Sequence, residues 1–91
     1  MSKRDKLRRK LKNNPKSATR QELETLLLNY GFVLDRIKGS HHIYLYENQD
    51  VTERLVLPFH GQKIKTFYVA LTIQILDRLF PNEDLTGDDN A

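Results

Sequence analysis

Gly31-Phe32-Val33-Leu34-Asp35-Arg36-Ile37-Lys38-Gly39-Ser40-His41-His42-Ile43-Tyr44-Leu45-Tyr46 is the stretch that decides the fold. Two extended runs flank Lys38-Gly39-Ser40, which reads as a turn because glycine takes backbone conformations other residues avoid. Phe32 to Ile37 mixes apolar and charged residues. His41 to Tyr46 alternates, so His41, Ile43 and Leu45 point to one face while His42, Tyr44 and Tyr46 point to the other. Moving outward, Glu47 to Thr52 is a polar connection. Glu53 to Leu57 then gives a third strand, with Leu55 and Leu57 on one face and Pro58 closing it. Connections this short predict an antiparallel meander.

Helices flank the strands. Thr19 and Glu22 form a capping box, Leu23, Leu26, Leu27 and Tyr30 make one apolar stripe, and Gly31 is placed to end that helix. Farther upstream, Ser2 to Lys12 reads as a short basic helix with Leu7 and Leu11 at i, i+4, or as a mobile arm, ending at Asn13-Asn14-Pro15. The last helix is expected over Thr66 to Phe80, stopping at Pro81. Ten of the fourteen residues from Phe67 to Phe80 are apolar, an arc of roughly 200° where packing on one sheet needs ~100°. Either the N-terminal helix covers the surplus through Leu7 and Leu11, or it is a docking surface for a partner or a second copy in a homo-dimer. The order α-β-β-β-α, with an extra helix in front, is an α+β two-layer sandwich with a three-stranded antiparallel sheet. Double-stranded-RNA-binding domains (dsRBDs) share this order. Three segments result: a basic helix or arm over 1–16, a domain over 17–80, and an acidic tail over 81–91, expected to be disordered.

A chain of 91 residues has room for one domain with a thin core. It contains no cysteine, which rules out disulfides and thiolate zinc sites and fits a reducing cytoplasmic setting. No apolar run reaches signal-peptide or membrane-span length. Charge is unevenly placed. Residues 1–20 hold nine Lys and Arg against Asp5 alone, while residues 81–91 hold four acids and no base. Removing those four acids raises the formal charge from +3 to +7. Such a surface suits a polyanion, because phosphate neutralisation releases condensed counterions, although a charged face also simply keeps a small protein soluble.

Candidates for chemistry are few. The histidines are His41, His42 and His60. Neighbours on a strand point apart, so His41 and His42 cannot share one ion without a bend. A His41–His60 pair with a carboxylate stays open, but zinc-site spacings are missing, and neither metal nor cofactor is expected. A single histidine can act as general acid or base, for instance by taking the proton of an RNA 2′-hydroxyl that then attacks its own phosphodiester. Arg36, Lys38, Lys63 and Lys65 could hold phosphates around His41, and the Gly39-Ser40 turn would let the nucleic-acid backbone come close. His41 could equally be a strand-start residue with a satisfied ring. If Ile43 and Leu45 face the helices, His42, Tyr44 and Tyr46 face solvent, where aromatics can stack on unpaired bases.

These residues match a known pattern. Leu26-Leu27 leading to Tyr30-Gly31-Phe32, then Arg36 and Lys38-Gly39-Ser40-His41-His42-Ile43-Tyr44, resembles the HicA (YcfA-like) toxins of type II toxin-antitoxin systems. Leu55-Val56-Leu57-Pro58-Phe59-His60-Gly61, followed by lysines, is similar to that family's third strand and following loop. The resemblance covers about Arg20 to Phe80, and Gly39-Ser40-His41 is its most specific part. It implies a dsRBD-like fold and a metal-independent endoribonuclease (mRNA interferase) whose essential histidine is His41. It also implies a HicB-type antitoxin as protein partner and mRNA as substrate. One departure is Gln62-Lys63-Ile64-Lys65-Thr66-Phe67-Tyr68, where the family has a Pro-Gly lead into the last helix. Two further readings remain: a non-catalytic RNA-binding module, and a partner-docking protein using the apolar last helix.

Overall fold

In the computed structural model, which describes residues 3–81, the elements run α1 (Lys3–Asn13), α2 (Arg20–Asn29), β1 (Val33–Lys38), β2 (His41–Asn48), β3 (Val51–Pro58) and α3 (Thr66–Leu79). A single turn of 3-10 helix, Pro15–Ser17, joins α1 to α2. The strands form an antiparallel meander in the order β1-β2-β3. This is the expected α+β arrangement with a helix added in front. The acidic tail from residue 82 onward and Ser2, where the first helix was expected to begin, lie outside the described residues.

The capping box at α2 forms as read. Thr19 Oγ1 accepts from the Glu22 N–H at 3.1 Å, and the Glu22 carboxylate accepts from the Thr19 N–H at 3.1 Å. Lys10 donates to the same carboxylate at 2.6 Å, tying α1 to the start of α2. That bond, then the one from the Thr19 N–H, holds the Glu22 carboxyl below its ordinary 4.5. Gly31 ends the helix at φ +93°, and a Cβ there would lie 3.3 Å from the Tyr46 ring. Glycine thus both turns the chain and lets α2 approach the central strand.

Two details of the strands differ from expectation. The β2–β3 ladder runs to Asn48 opposite Val51, so the connection is only Gln49-Asp50 and not the whole of residues 47–52. β1 carries an irregularity between Leu34 and Arg36, where an extra residue shifts the register.

The helices pack on one face of the sheet, where Phe32, Tyr44, Leu55, Leu57 and Phe59 join Leu23, Leu26, Leu27 and Tyr30 of the α2 segment and Val69, Ile73, Ile75 and Leu76 of α3. The face of β2 that meets the helices is therefore the His42-Tyr44-Tyr46 face. This reverses the condition under which those side chains would have faced solvent. The physical reason is that their polar ends find partners inside: Tyr44 Oη donates toward Glu24 at 3.4 Å, and His42 meets Arg20 at 3.0 Å. Buried polar atoms so satisfied cost little, and three aromatic bodies fill more core volume than Ile43 and Leu45 would.

The N-terminal segment is a packed helix. Leu11 is fully buried in the core cluster and Leu7 packs against it. Arg8 is 1% exposed: it donates to Asp77 Oδ1 of α3 at 2.7 Å, to the Phe80 carbonyl at 3.3 Å and to Tyr30 Oη at 3.4 Å. Lys12 reaches the other oxygen of Asp77 at 2.9 Å. Thus α1 covers the flank of α3 that the sheet does not reach, which accounts for the wide apolar arc of that helix. Phe67, at its first turn, remains 67% exposed. No described helix is long and apolar enough to cross a membrane.

Candidate active site

Among the described residues no helix packs on the second face of the sheet. His41 opens β2, the central strand, directly opposite Lys38 of β1 and Pro58 of β3. Directly paired residues share a face, so Lys38 stands beside His41. Two residues on, Ile43 is opposite Arg36 and Val56, and beyond it Leu45 is opposite Arg54. His41, Lys38, Arg36 and Arg54 are all exposed, while Ile43 in their midst is 4% exposed. The result is a basic surface with an apolar floor and one imidazole at its end. Arg54 escaped the sequence reading, although the alternation that puts Leu55 and Leu57 inside puts Arg54 and Val56 outside.

Gly39 makes the turn into His41 at φ +59°, and nothing lies within 4 Å of the place its Cβ would occupy. The turn is therefore open to an incoming ligand backbone. Lys38 has no carboxylate partner among the described residues, whereas Arg36 is engaged by its exposed neighbour Asp35 at 3.2 Å. An ion pair this exposed is worth little and yields readily to a phosphate.

Lys63 and Lys65 sit elsewhere in the site, on the loop that leaves β3 next to His41. There His60 and Lys63 form an isolated antiparallel bridge. His60, Lys63, Ile64 and Lys65 line an open depression of about 330 Å³. Lys65 is also the N-cap of α3 and provides no side-chain cap. The helix begins at Thr66 as expected, without the Pro-Gly lead. A cation at the positive end of a helix dipole raises the local potential, so this loop adds to the pull on anions.

His42 and Tyr44 lie inside the domain, at 6% and 2% exposure. The His42 ring packs edge-on against Phe59 with centroids 4.8 Å apart, and Arg20 Cζ sits 4.8 Å from the same Phe59 centroid. Burial, then the neighbouring Glu24 carboxylate, pushes the Tyr44 hydroxyl up to about 12, with Arg20 opposing. Tyr44 is therefore neutral and serves as a donor, not as a base.

Among the described residues no three His, Asp or Glu side chains are grouped as a metal would need. The face instead presents an exposed imidazole with a lysine next to it. Such a group can hold or deliver a proton where bound phosphate would place a ribose hydroxyl.

The sequence model of one protein family, described as "HicA toxin of bacterial toxin-antitoxin", matches residues 20–70. The matched segment contains α2, all three strands, the Gly39-Ser40-His41 turn and the basic loop, and leaves α1 outside. The chain belongs to the HicA toxin family and is a toxin of a toxin-antitoxin system. Comparison with curated proteins and comparison with solved structures each gave no match.

Proposed function

We propose that this toxin is a metal-independent endoribonuclease of mRNA with His41 as its general acid/base. The observation that carries the reading is the exposed His41 imidazole at the head of the central strand. It stands beside Lys38 on the helix-free basic face and after an open Gly39 turn. Lys38, Arg36 and the Gly39-Ser40 turn receive the phosphate backbone, with Lys63 and Lys65 extending the track. Neutral His41 takes the 2′-hydroxyl proton, and the 2′-oxygen attacks the adjacent phosphorus. The P–O5′ bond breaks as the cyclic phosphate forms, and the departing 5′-oxygen takes up a proton. A positioned proton-transfer group of this kind contributes roughly 10²–10⁴-fold.

A toxin implies an antitoxin, and a HicB-type protein covering the basic face would block both RNA and His41. The decisive experiment compares wild type with His41→Ala on an end-labelled single-stranded RNA of mixed sequence. Cleavage and growth arrest are expected to vanish in the variant while the circular dichroism spectrum and RNA affinity stay close to wild type. Cleavage at the wild-type rate by His41→Ala overturns the assignment. EDTA is expected to leave the rate unchanged, and inhibition would instead point to a metal.

A further inference from the structure

The buried histidine next to His41 is held in an arrangement that a strand-filling residue does not need. Arg20, first residue of α2, spreads its guanidinium over three partners. One terminal nitrogen lies 3.0 Å from His42 Nε2, the other donates to the Gly61 carbonyl at 3.3 Å, and Nε donates to Glu24 Oε2 at 3.2 Å. The Arg20 backbone N–H donates to the Gln62 carbonyl at 3.2 Å. One residue thus binds the central strand and the start of the basic loop to the first turn of α2.

The chemistry of these groups decides the state of the His42 ring. A guanidinium has five N–H donors and no acceptor, so Nε2 must offer its lone pair. The ring proton is then on Nδ1, which faces the Ser40 carbonyl at 3.4 Å. That carbonyl also accepts from the Phe59 N–H at 2.8 Å. The Ser40–His41 peptide is planar, so restraining its oxygen from two sides fixes the plane from which His41 projects. Glu24 balances the Arg20 charge and also takes the Tyr44 hydroxyl at 3.4 Å, which leaves the cluster neutral with an uncharged His42.

We infer that Arg20 and His42 are positioning residues for His41: the Arg20–His42–Ser40 relay sets the peptide that orients the His41 imidazole and fastens it to the basic loop. This rests on the assignment of His41 as the proton-transfer group. Neither residue lies on the open face, and the backbone bond from the Arg20 N–H to the Gln62 carbonyl keeps the basic loop in place when the side chain is replaced, so their loss acts mainly on the chemical step. A misplacement of about 1 Å at such a centre costs on the order of 100-fold.

Two measurements test it. In wild-type protein, the ring-nitrogen NMR shifts of His42 are expected to show the neutral Nδ1–H tautomer; an Nε2–H or charged ring at neutral pH overturns the relay. Arg20→Met and His42→Phe, the latter keeping the ring on Phe59, are then assayed on the same end-labelled RNA. Each is expected to lower kcat between roughly tenfold and 100-fold with KM within about twofold. The double variant should be no worse than the poorer single, because both remove one connection. A loss confined to KM, a wild-type kcat, or independent losses that multiply in the double variant would overturn the inference. His41→Ala separates the two levels. If it still cleaves, the assignment of His41 fails, and the positioning role with it. If it is inactive while Arg20→Met turns over normally, only the positioning role fails. The tautomer measurement uses wild-type protein, so it decides the relay even if a variant does not fold.

Discussion

Replacing Arg8 by alanine tests whether α1 is an integral part of the domain. The bonds of the guanidinium include a short charge-assisted one, to Asp77 at 2.7 Å, and longer ones to the Phe80 carbonyl at 3.3 Å and Tyr30 at 3.4 Å. The first is worth about 1.5–3 kcal/mol, and the lower end applies because Asp77 is 36% exposed and keeps Lys12 at 2.9 Å. The two long bonds add about 0.5 kcal/mol each. Loss of the buried alkyl stem adds roughly another 1 kcal/mol. The sum is about 3–4 kcal/mol, against a total of about 5–14 kcal/mol for a chain of this length. Urea unfolding followed by circular dichroism should show that loss, and the thermal midpoint should fall by at least about 12 °C. Arg8→Met, which keeps the stem, should cost about 1 kcal/mol less. A loss below about 1 kcal/mol in Arg8→Ala would refute the reasoning, since α1 would then be held by Leu7, Leu11 and its other polar contacts, such as Lys10 on Glu22, without need of Arg8. The same clamp has an acid limit. Burial works to raise the Asp77 carboxyl, but hydrogen bonds from Arg8 and Lys12 outweigh it and hold the group below its ordinary 3.8. A depressed carboxyl contributes stability above its unfolded value, and that contribution drains away as pH falls through the folded value. Wild type should therefore lose stability below pH 3.8 more steeply than Arg8→Ala.

Other expectations follow from positions described above. Gly31→Ala meets both a positive φ and the Tyr46 ring, whereas Gly39→Ala meets the conformational penalty alone. The first should cost more than about 2 kcal/mol and the second about 1 kcal/mol, read by urea unfolding. Lys38→Ala should weaken RNA binding and lower the slope of log affinity against log salt by about 0.7, the value for one phosphate on a single strand, with no preference among sequences. Thr19→Ala removes the Oγ1 acceptor at the start of α2 and should lower stability by about 1 kcal/mol.

The order of elements was legible in the sequence because its signals are local. A capping box, a terminating glycine, a glycine turn and a proline stop each act within a few residues, and each lies where it was read. The chain's length of polar connection between β2 and β3 was less legible. Glu47, Asn48, Val51 and Thr52 extend the ladder through backbone bonds that this mostly polar run does not announce. The faces of β2 were not legible from alternation alone, since either face carries two strongly apolar or aromatic residues. What decides between them is distant in sequence: Arg20 and Glu24 wait inside for His42 and Tyr44. At the site, Gly39, Ser40, His41, Lys38 and Arg36 come together on the open face much as their spacing suggested. His42 and Tyr44 do not, and Arg54 joins them through cross-strand pairing.

The paired histidines show what that hidden preference protects. A strand has a parity, and moving β2 by one residue against its neighbours would exchange the two imidazoles, turning His42 to water and burying His41. Greasiness alone would scarcely resist the exchange, because Ile43 and Leu45 would enter the core as Tyr44 and Tyr46 left it. The slipped strand would, however, take the His42 ring away from Arg20 and the Tyr44 hydroxyl away from Glu24. Polar groups inside this small domain thus act as an index mark, recording which of two adjacent and chemically identical side chains is the one that meets the substrate.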